Sequence, residues 1–251
     1  MKNFFTTAAV LLLLAACGSQ PPAPDWKLGA EAASRRATEA YLRGEQRVAE
    51  LQWQKAREEV RSTADIPTAA RLELMRCAAQ VAGFDWSACS AYEALAHDAG
   101  EQQQAYARYL QAELRVEDVA LLPPAQQPLA RLLASADGPL AGASARAAIE
   151  AIADPLSRLV ALAVALRSGV DCPTLLEPAL DTASQQGWRR PLMAWLLLQR
   201  DMASGGMDQP TAGKAAMRLQ LLMGGATAED LPRLSAGSSL CTASRGSRGM
   251  R

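Results

Sequence analysis

Glycine and proline residues interrupt this chain at intervals, and between them apolar side chains recur with the period of an α-helix. The interruptions fall at Gly44, Pro67, Gly83, Gly100, Gly138-Pro139, Gly169, Gly187 and Gly205-Gly206. Connections this short place consecutive helices side by side and antiparallel. The pattern therefore predicts an all-α fold built from antiparallel helix pairs.

The amino-acid composition favours the same fold class. The chain has 52 alanines in 251 residues, while valine and isoleucine are sparse. Alanine has the highest helix propensity, whereas the two β-branched residues favour strands. The apolar period predicts eleven helices, at Leu28–Arg43, Glu45–Arg61, Thr68–Ala82, Ala88–Ala99, Gln102–Leu114, Gln126–Ser135, Ala141–Ala153, Pro155–Ser168, Thr174–Gln186, Arg190–Ala203 and Thr211–Met223. Pro155–Ser168 and Pro191–Ala203 are apolar almost all round, so we expect them to be the most buried.

The chain begins with a short apolar run behind a positive charge. Lys2 precedes the run Phe4–Ala16, whose 13 residues fall short of the roughly 20 that a membrane-spanning helix needs. Such a run, ending in small residues, is typical of a secretory signal peptide. Its last residues and the next, Leu14-Ala15-Ala16-Cys17, resemble the lipobox of bacterial lipoproteins at all four positions. A plain signal peptide followed by a chance cysteine is the alternative.

The lipoprotein resemblance implies a membrane-anchored mature protein. It implies cleavage of residues 1–16 and acylation of Cys17, so that membrane lipid is one partner. Residues 17–27 follow as a flexible tether rich in proline and small residues. In enterobacterial lipoproteins an aspartate after the cysteine retains the protein in the inner membrane. Here that position is Gly18, so the resemblance implies the outer membrane, with the protein facing the periplasm.

Charge divides the mature chain into two parts. Residues 17–232 carry 21 basic and 26 acidic side chains, whereas four arginines and no acid follow from Arg233 onward. We expect residues 28–234 to form the α-helical domain, and the glycine- and serine-rich segment 235–251 to be a disordered basic tail. Neither part has the basic face that a nucleic-acid-binding domain presents. The sequence therefore predicts no nucleic-acid partner.

The first predicted helix pair resembles a tetratricopeptide unit over residues 30–62. With Gly44 as the turn glycine of the unit, three alanines fall at its small packing positions and Trp53 falls at its large aromatic position. The early aromatic residue and the closing proline of the unit are missing, and later segments do not repeat at a fixed period. The resemblance implies a degenerate tetratricopeptide-like helical array.

Four cysteines remain besides Cys17. Cys77 and Cys89 flank a predicted helix end and turn, so neighbouring helices would bring them within reach in the oxidising periplasm. We expect a Cys77–Cys89 disulfide, while the pairing of Cys172 and Cys241 stays open. The chain has one histidine and no CxxC pair, so nothing predicts a metal site or another cofactor.

Nothing in the sequence predicts a catalytic residue. His97, the one histidine, falls at a predicted helix end, where a cation favours the helix dipole, and no nucleophile elbow accompanies it. The segment Trp188-Arg189-Arg190 is the candidate contact surface, because tryptophan and arginine dominate protein interfaces. The alternative is a packed tryptophan beside solvated arginines.

These features predict an interaction protein and no enzyme. Helical arrays bind extended partners along a surface. We expect a lipid-anchored adaptor or assembly factor with an envelope protein as its partner. In general plan this is similar to the helical-repeat lipoprotein of the barrel-assembly machine and to the pilotins of type IV pili. The alternatives are an envelope enzyme, such as a peptidoglycan hydrolase, and a regulator of peptidoglycan synthesis.

Overall fold

The computed structural model describes residues 23–87, 89–135 and 142–224. In these ranges the chain forms eleven α-helices and one 3-10 helix, Val116–Leu121, and contains no strand. Cys17, Cys241 and the predicted tail 235–251 lie outside these ranges. The α-helices are α1 Asp25–Arg43, α2 Gln46–Arg61, α3 Ile66–Ala82, α4 Ser90–Glu93, α5 Glu101–Gln111, α6 Gln127–Ala134, α7 Gly142–Glu150, α8 Pro155–Arg167, α9 Cys172–Gln185, α10 Arg189–Gly205 and α11 Gln209–Leu222.

The all-α prediction is confirmed, and consecutive helices pack in pairs. Gly44 makes the turn between α1 and α2, with a φ of +88° in the left-handed region that glycine adopts readily. Its backbone N–H donates to the Tyr41 carbonyl, and the Glu45 N–H donates to the Ala40 carbonyl. These bonds satisfy carbonyls at the end of α1, and α2 returns along it.

Small residues bring α1 and α2 close together. Ala37, Ala49 and Ala56, which the tetratricopeptide resemblance places at small packing positions, are each no more than 1% exposed. Trp53, at the large aromatic position, is 2% exposed. Because alanine projects only a methyl group, the helix axes approach closely and the indole fills the remaining space.

Helix α8 lies at the centre of the core. All eight residues of the segment Leu159–Leu166 are buried, as expected from its apolar sequence. The helix contacts α3, α5 and α9, among others, so no side of this segment faces solvent. Asp154 starts it by accepting a hydrogen bond of 2.7 Å from the Ser157 backbone N–H, with Pro155 at the first helical position.

Helices far apart in the sequence share this core. Helix α10 packs against α9 and α11, its neighbours in the chain, and also against α1. On α10, Trp195 is fully buried and meets Phe84, just beyond α3, edge to face at 4.6 Å between ring centroids. One continuous apolar cluster therefore joins the first helices to the last ones.

One predicted helix is wrong. Instead of a helix over Ala88–Ala99, the chain forms the four-residue α4 and then successive turns, such as the Leu95 N–H donating to the Tyr92 carbonyl. Of the described residues 89–99, only Tyr92 and Ala99 are buried, too few apolar side chains to hold a longer amphipathic helix. The other ten predicted helices have ends within three residues of those observed. Helix α1 begins at Asp25, inside the segment predicted as tether.

A buried ion pair fixes the 3-10 helix against α5. The Asp118 side chain is 1% exposed, and both of its oxygens accept hydrogen bonds from the Arg108 guanidinium. The Arg115 backbone N–H donates to the same carboxylate at 3.0 Å. The hydrogen bonds from Arg108 lower the pKa of Asp118. The charged carboxylate is therefore stabilised by folding.

We expect Asp118→Asn to lower the free energy of unfolding by about 2 kcal/mol near neutral pH, since it removes hydrogen bonds between charged groups. Because folding lowers this pKa, the stabilisation is present above the unfolded pKa of Asp and is lost as pH falls through the lower, folded pKa. Urea denaturation measured at several pH values should show that the free energies of unfolding of the variant and wild type become equal in acid. Asp181→Asn, at an exposed position, is the control. A loss of unfolding free energy that does not change with pH, or an equal loss in Asp181→Asn, would contradict this role of Asp118.

Candidate partner-binding surfaces

Trp188 lies inside the fold. It precedes α10, is 7% exposed, and its indole Nε1 donates a hydrogen bond of 3.0 Å to Glu39 Oε2 on α1. The contact joins residues 149 positions apart in the sequence. The hydrophobic part of Trp188 fills the contact between α10 and α1, and the polar edge is satisfied by the carboxylate.

Arg190 is also held by the first helix pair. Its Nε donates to the Tyr41 backbone carbonyl, its Nη2 donates to Gln46 Oε1, each at 3.0 Å, and its guanidinium lies 4.2 Å from the centroid of the Tyr41 ring. Burial raises the pKa of the Tyr41 hydroxyl. Of the three predicted contact residues, only Arg189 is exposed. Truncating all three would therefore perturb the α10–α1 contact as well as the surface.

A groove of about 570 Å³ runs between α1 and α3. Its floor includes the buried residues Ala30, Val60 and Leu72. Trp26, at the start of α1, and Met75, on α3, add partly exposed apolar surface. The groove therefore presents apolar side chains beside the point where α1 begins.

A second groove of about 420 Å³ lies on the other side of α3, against α5 and the loop after the 3-10 helix. Tyr106, Leu122 and Pro123 contribute to its walls. Arg71 and Met75 line both grooves. These two residues are four positions apart on α3, so they share one helix face and form a ridge between the grooves.

Charge around the grooves is uneven. Lys27, Arg35 and Arg71 line the first groove, and none of them forms an ion pair within the described part of the chain. Two acids, Glu31 and Asp65, also line it. The Asp65 carboxylate already accepts a hydrogen bond of 2.5 Å from the Thr68 hydroxyl. Among the described residues that line the second groove, Arg71 is the one that carries a charge.

The predicted disulfide joins the end of α3 to the start of α4. Cys77 and Cys89 are bonded, with 6.0 Å between their Cα atoms. The bridge closes the Gly-Phe-Asp turn, and Cys89 borders a crevice of about 340 Å³. The Trp86 ring lies in the same crevice, with the Arg167 guanidinium 5.1 Å from its centroid.

Cys172, the first residue of α9, is disulfide-bonded as well. Cys17 is the expected acylation site, so we expect Cys241 to be the partner of Cys172. Trypsin should then release the fragments 168–189 and 234–245 as one linked species. The Cys77–Cys89 bridge should lie within a single fragment, 77–108, that lacks two hydrogens. Non-reducing mass spectrometry of protein from the periplasm checks both, and free thiols or fragments linked between two copies would contradict the pairing.

His97 lies exposed in the turns after α4. Its imidazole makes no hydrogen bond or ion pair among the residues that the structure describes. In the same part of the chain, no group of three or more histidine, cysteine, aspartate or glutamate residues is placed to hold a metal ion. Among the described residues, His97 therefore hydrogen-bonds to neither a nucleophile nor an orienting carboxylate.

No family model, curated protein or solved structure matches this chain. Within residues 23–87, 89–135 and 142–224, no helix has both the length and the apolar character to cross a membrane. The groove residues Lys27, Arg35, Arg71 and Met75 were not among the predicted contact residues. Their helical positions follow from the sequence, but their common surface depends on how α1, α3 and α5 pack together.

Proposed function

We propose that this protein is a lipid-anchored adaptor at the periplasmic face of the outer membrane, where it binds another envelope protein. The lipobox-like segment Leu14–Cys17 supports the anchor, and Gly18 supports the outer membrane. Several acyl chains hold a protein stably, because each buried methylene contributes about 0.8 kcal/mol. The helical domain begins at Asp25, so a short segment after Cys17 would keep it near the membrane surface.

The observation that carries the binding activity is the pair of grooves on either side of the Arg71–Met75 ridge. Apolar grooves with a few polar groups are the surfaces on which proteins bind partners. An arginine without an intramolecular partner retains its full hydrogen-bonding capacity for a ligand. The surface therefore fits recognition of another chain.

Catalysis has weaker support. A glycoside hydrolase that cleaves peptidoglycan would use two carboxyl groups across a cleft, one of them with a raised pKa. Asp118, a buried aspartate, is instead paired with Arg108, which lowers its pKa. Glu73 is likewise buried against Arg57, at 2.5 Å between Oε1 and Nε. Both carboxylates serve as structural ion pairs between neighbouring elements.

Chemical crosslinking in intact envelopes, followed by purification of the tagged protein, tests the adaptor function. Three exposed lysines on different helices, Lys27, Lys55 and Lys214, supply amines for the reagent. We expect a discrete crosslinked complex with an envelope protein. A complex that never forms under conditions where the protein is functional would contradict the proposal.

A further inference from the structure

We propose that the two grooves beside α3 form one binding site for an extended, acidic and apolar peptide segment of a partner protein, with Arg71 as its central anchor. This assignment rests on the proposed adaptor function and names the chemistry of its ligand. The site is defined by the Arg71–Met75 ridge, by the α1 wall on one side and by the α5 wall on the other.

The shape of the site favours an extended chain. The two grooves lie on opposite sides of one helix and share the two ridge residues. A ligand that fills both grooves must cross the ridge, and an extended peptide, which advances about 3.3 Å per residue, places alternate side chains on opposite sides of its backbone. Apolar side chains then enter the two grooves while the backbone passes over Met75 and Arg71.

The charge of the site favours an acidic ligand. Arg71 is exposed and makes neither a hydrogen bond nor an ion pair within the described residues. Its guanidinium can bind a carboxylate through two parallel hydrogen bonds. Lys27 and Arg35 add two further cations along the α1 wall, so three cations face the two carboxylates of Glu31 and Asp65. Asp65 remains charged while it accepts a hydrogen bond from the Thr68 hydroxyl. Residues 17–232 as a whole carry more acids than bases, so this cationic rim differs from its surroundings.

Arg71 also differs in its surroundings from two other arginines of these helices, Arg57 on α2 and Arg76 on α3. Arg57 and Arg76 face acids of the same fold, with Arg57 paired to Glu73 and Arg76 paired to Glu50. Their charges are neutralised inside the molecule. Arg71, on the same helix as Arg76, forms no such ion pair with any residue that the structure describes, and so its charge is available to a ligand.

Selection from a displayed library of random linear peptides tests the assignment, with the full-length mature protein in detergent as the target. Enriched peptides should combine aspartate or glutamate with apolar residues. Their affinity, measured by fluorescence anisotropy, should fall by about tenfold or more in Arg71→Glu, as expected for a central arginine anchor. Higher salt should weaken the same binding.

Arg36→Glu is the matched control, because Arg36 is exposed on α1, forms no ion pair within the described chain and lines neither groove. It should leave peptide affinity unchanged. Arg35→Glu, on the α1 wall, should also weaken peptide binding. Agreement between the two groove variants would show that the loss of binding does not come from misfolding of one of them. Thermal unfolding of all three variants should match wild type, since none of the three arginines forms an ion pair with a residue that the structure describes.

Several results would overturn the site. They are a failure to enrich any peptide, enriched peptides without acids, or equal affinity for wild type and Arg71→Glu. Dimerisation of the mature protein that Arg71→Glu abolishes would make a second copy the occupant instead. A separate result tests the adaptor function. An envelope complex that still forms with Arg71→Glu would contradict this binding site and still support the adaptor function. Absence of any complex in wild type would contradict the adaptor function itself.

Discussion

Trp195→Ala should lower the free energy of unfolding by about 3–5 kcal/mol, the usual cost of truncating a large core aromatic residue. The Trp195 side chain is fully buried on α10 and contacts Phe84, which stacks on Trp86 at 5.8 Å. Removing it leaves a cavity where the last helices meet the turn after α3. Its indole N–H has no hydrogen-bond partner in the described part of the protein, so the loss is one of packing.

Urea denaturation followed by circular dichroism measures this loss. The control is Met217→Ala on α11, whose side chain is 64% exposed and which should change stability by no more than about 0.5 kcal/mol. Because α10 also packs against α1, the whole domain should unfold at lower urea in Trp195→Ala, in a single transition. A cost as small as that of Met217→Ala, or unfolding confined to the last helices, would contradict the shared core.

From the proposed lipid anchor we expect Cys17→Ser to yield a protein that fails to mature. Without the Cys17 thiol there is no site to which the diacylglycerol can be attached. In bacterial lipoproteins the signal peptide is cleaved after lipid attachment, so cleavage before residue 17 should also fail. We expect an uncleaved precursor that incorporates no labelled palmitate. The remaining attachment would depend on the 13-residue apolar run alone, which is too short to span a bilayer stably.

Membrane fractionation and metabolic labelling check the anchor. The control is a variant in which Cys77 and Cys89 are both serine. It removes the two cysteines of the α3–α4 disulfide and should keep palmitate incorporation and processing. Normal processing and membrane retention of Cys17→Ser would contradict lipidation and favour a plain signal peptide.

The local structure was predictable because its determinants are close together in the sequence. Asp154 and Pro155 begin α8, Asp171 caps α9, and Gly44 permits the left-handed turn after α1. Each acts within a few residues of its own position. The apolar run within Pro155–Ser168 likewise indicated burial without any knowledge of its neighbours. The Cys77–Cys89 disulfide could be predicted for the same reason, since only a turn separates α3 from α4.

The candidate surfaces were less predictable because they depend on contacts between distant helices. Trp188 and Arg190 were identified by residue type, but the acceptors Glu39 and Tyr41 lie 149 positions away. The period of a helix gives the face on which a side chain lies, not the helix that will cover it. Arg71 was missed for the converse reason, because an exposed arginine on an amphipathic helix resembles any solvated one until its neighbours are known.

Crosslinking in intact cells tests most directly whether the protein works by binding. The quantity to measure is the fraction of the tagged protein found in a discrete complex with an envelope protein, in wild type and in His97→Ala. Adaptor function predicts a substantial fraction in both, together with normal cellular function of His97→Ala, since His97 is exposed and makes no described contact. A normally folded His97→Ala protein that loses its cellular function, with no complex in wild type, would contradict the adaptor and favour an enzyme.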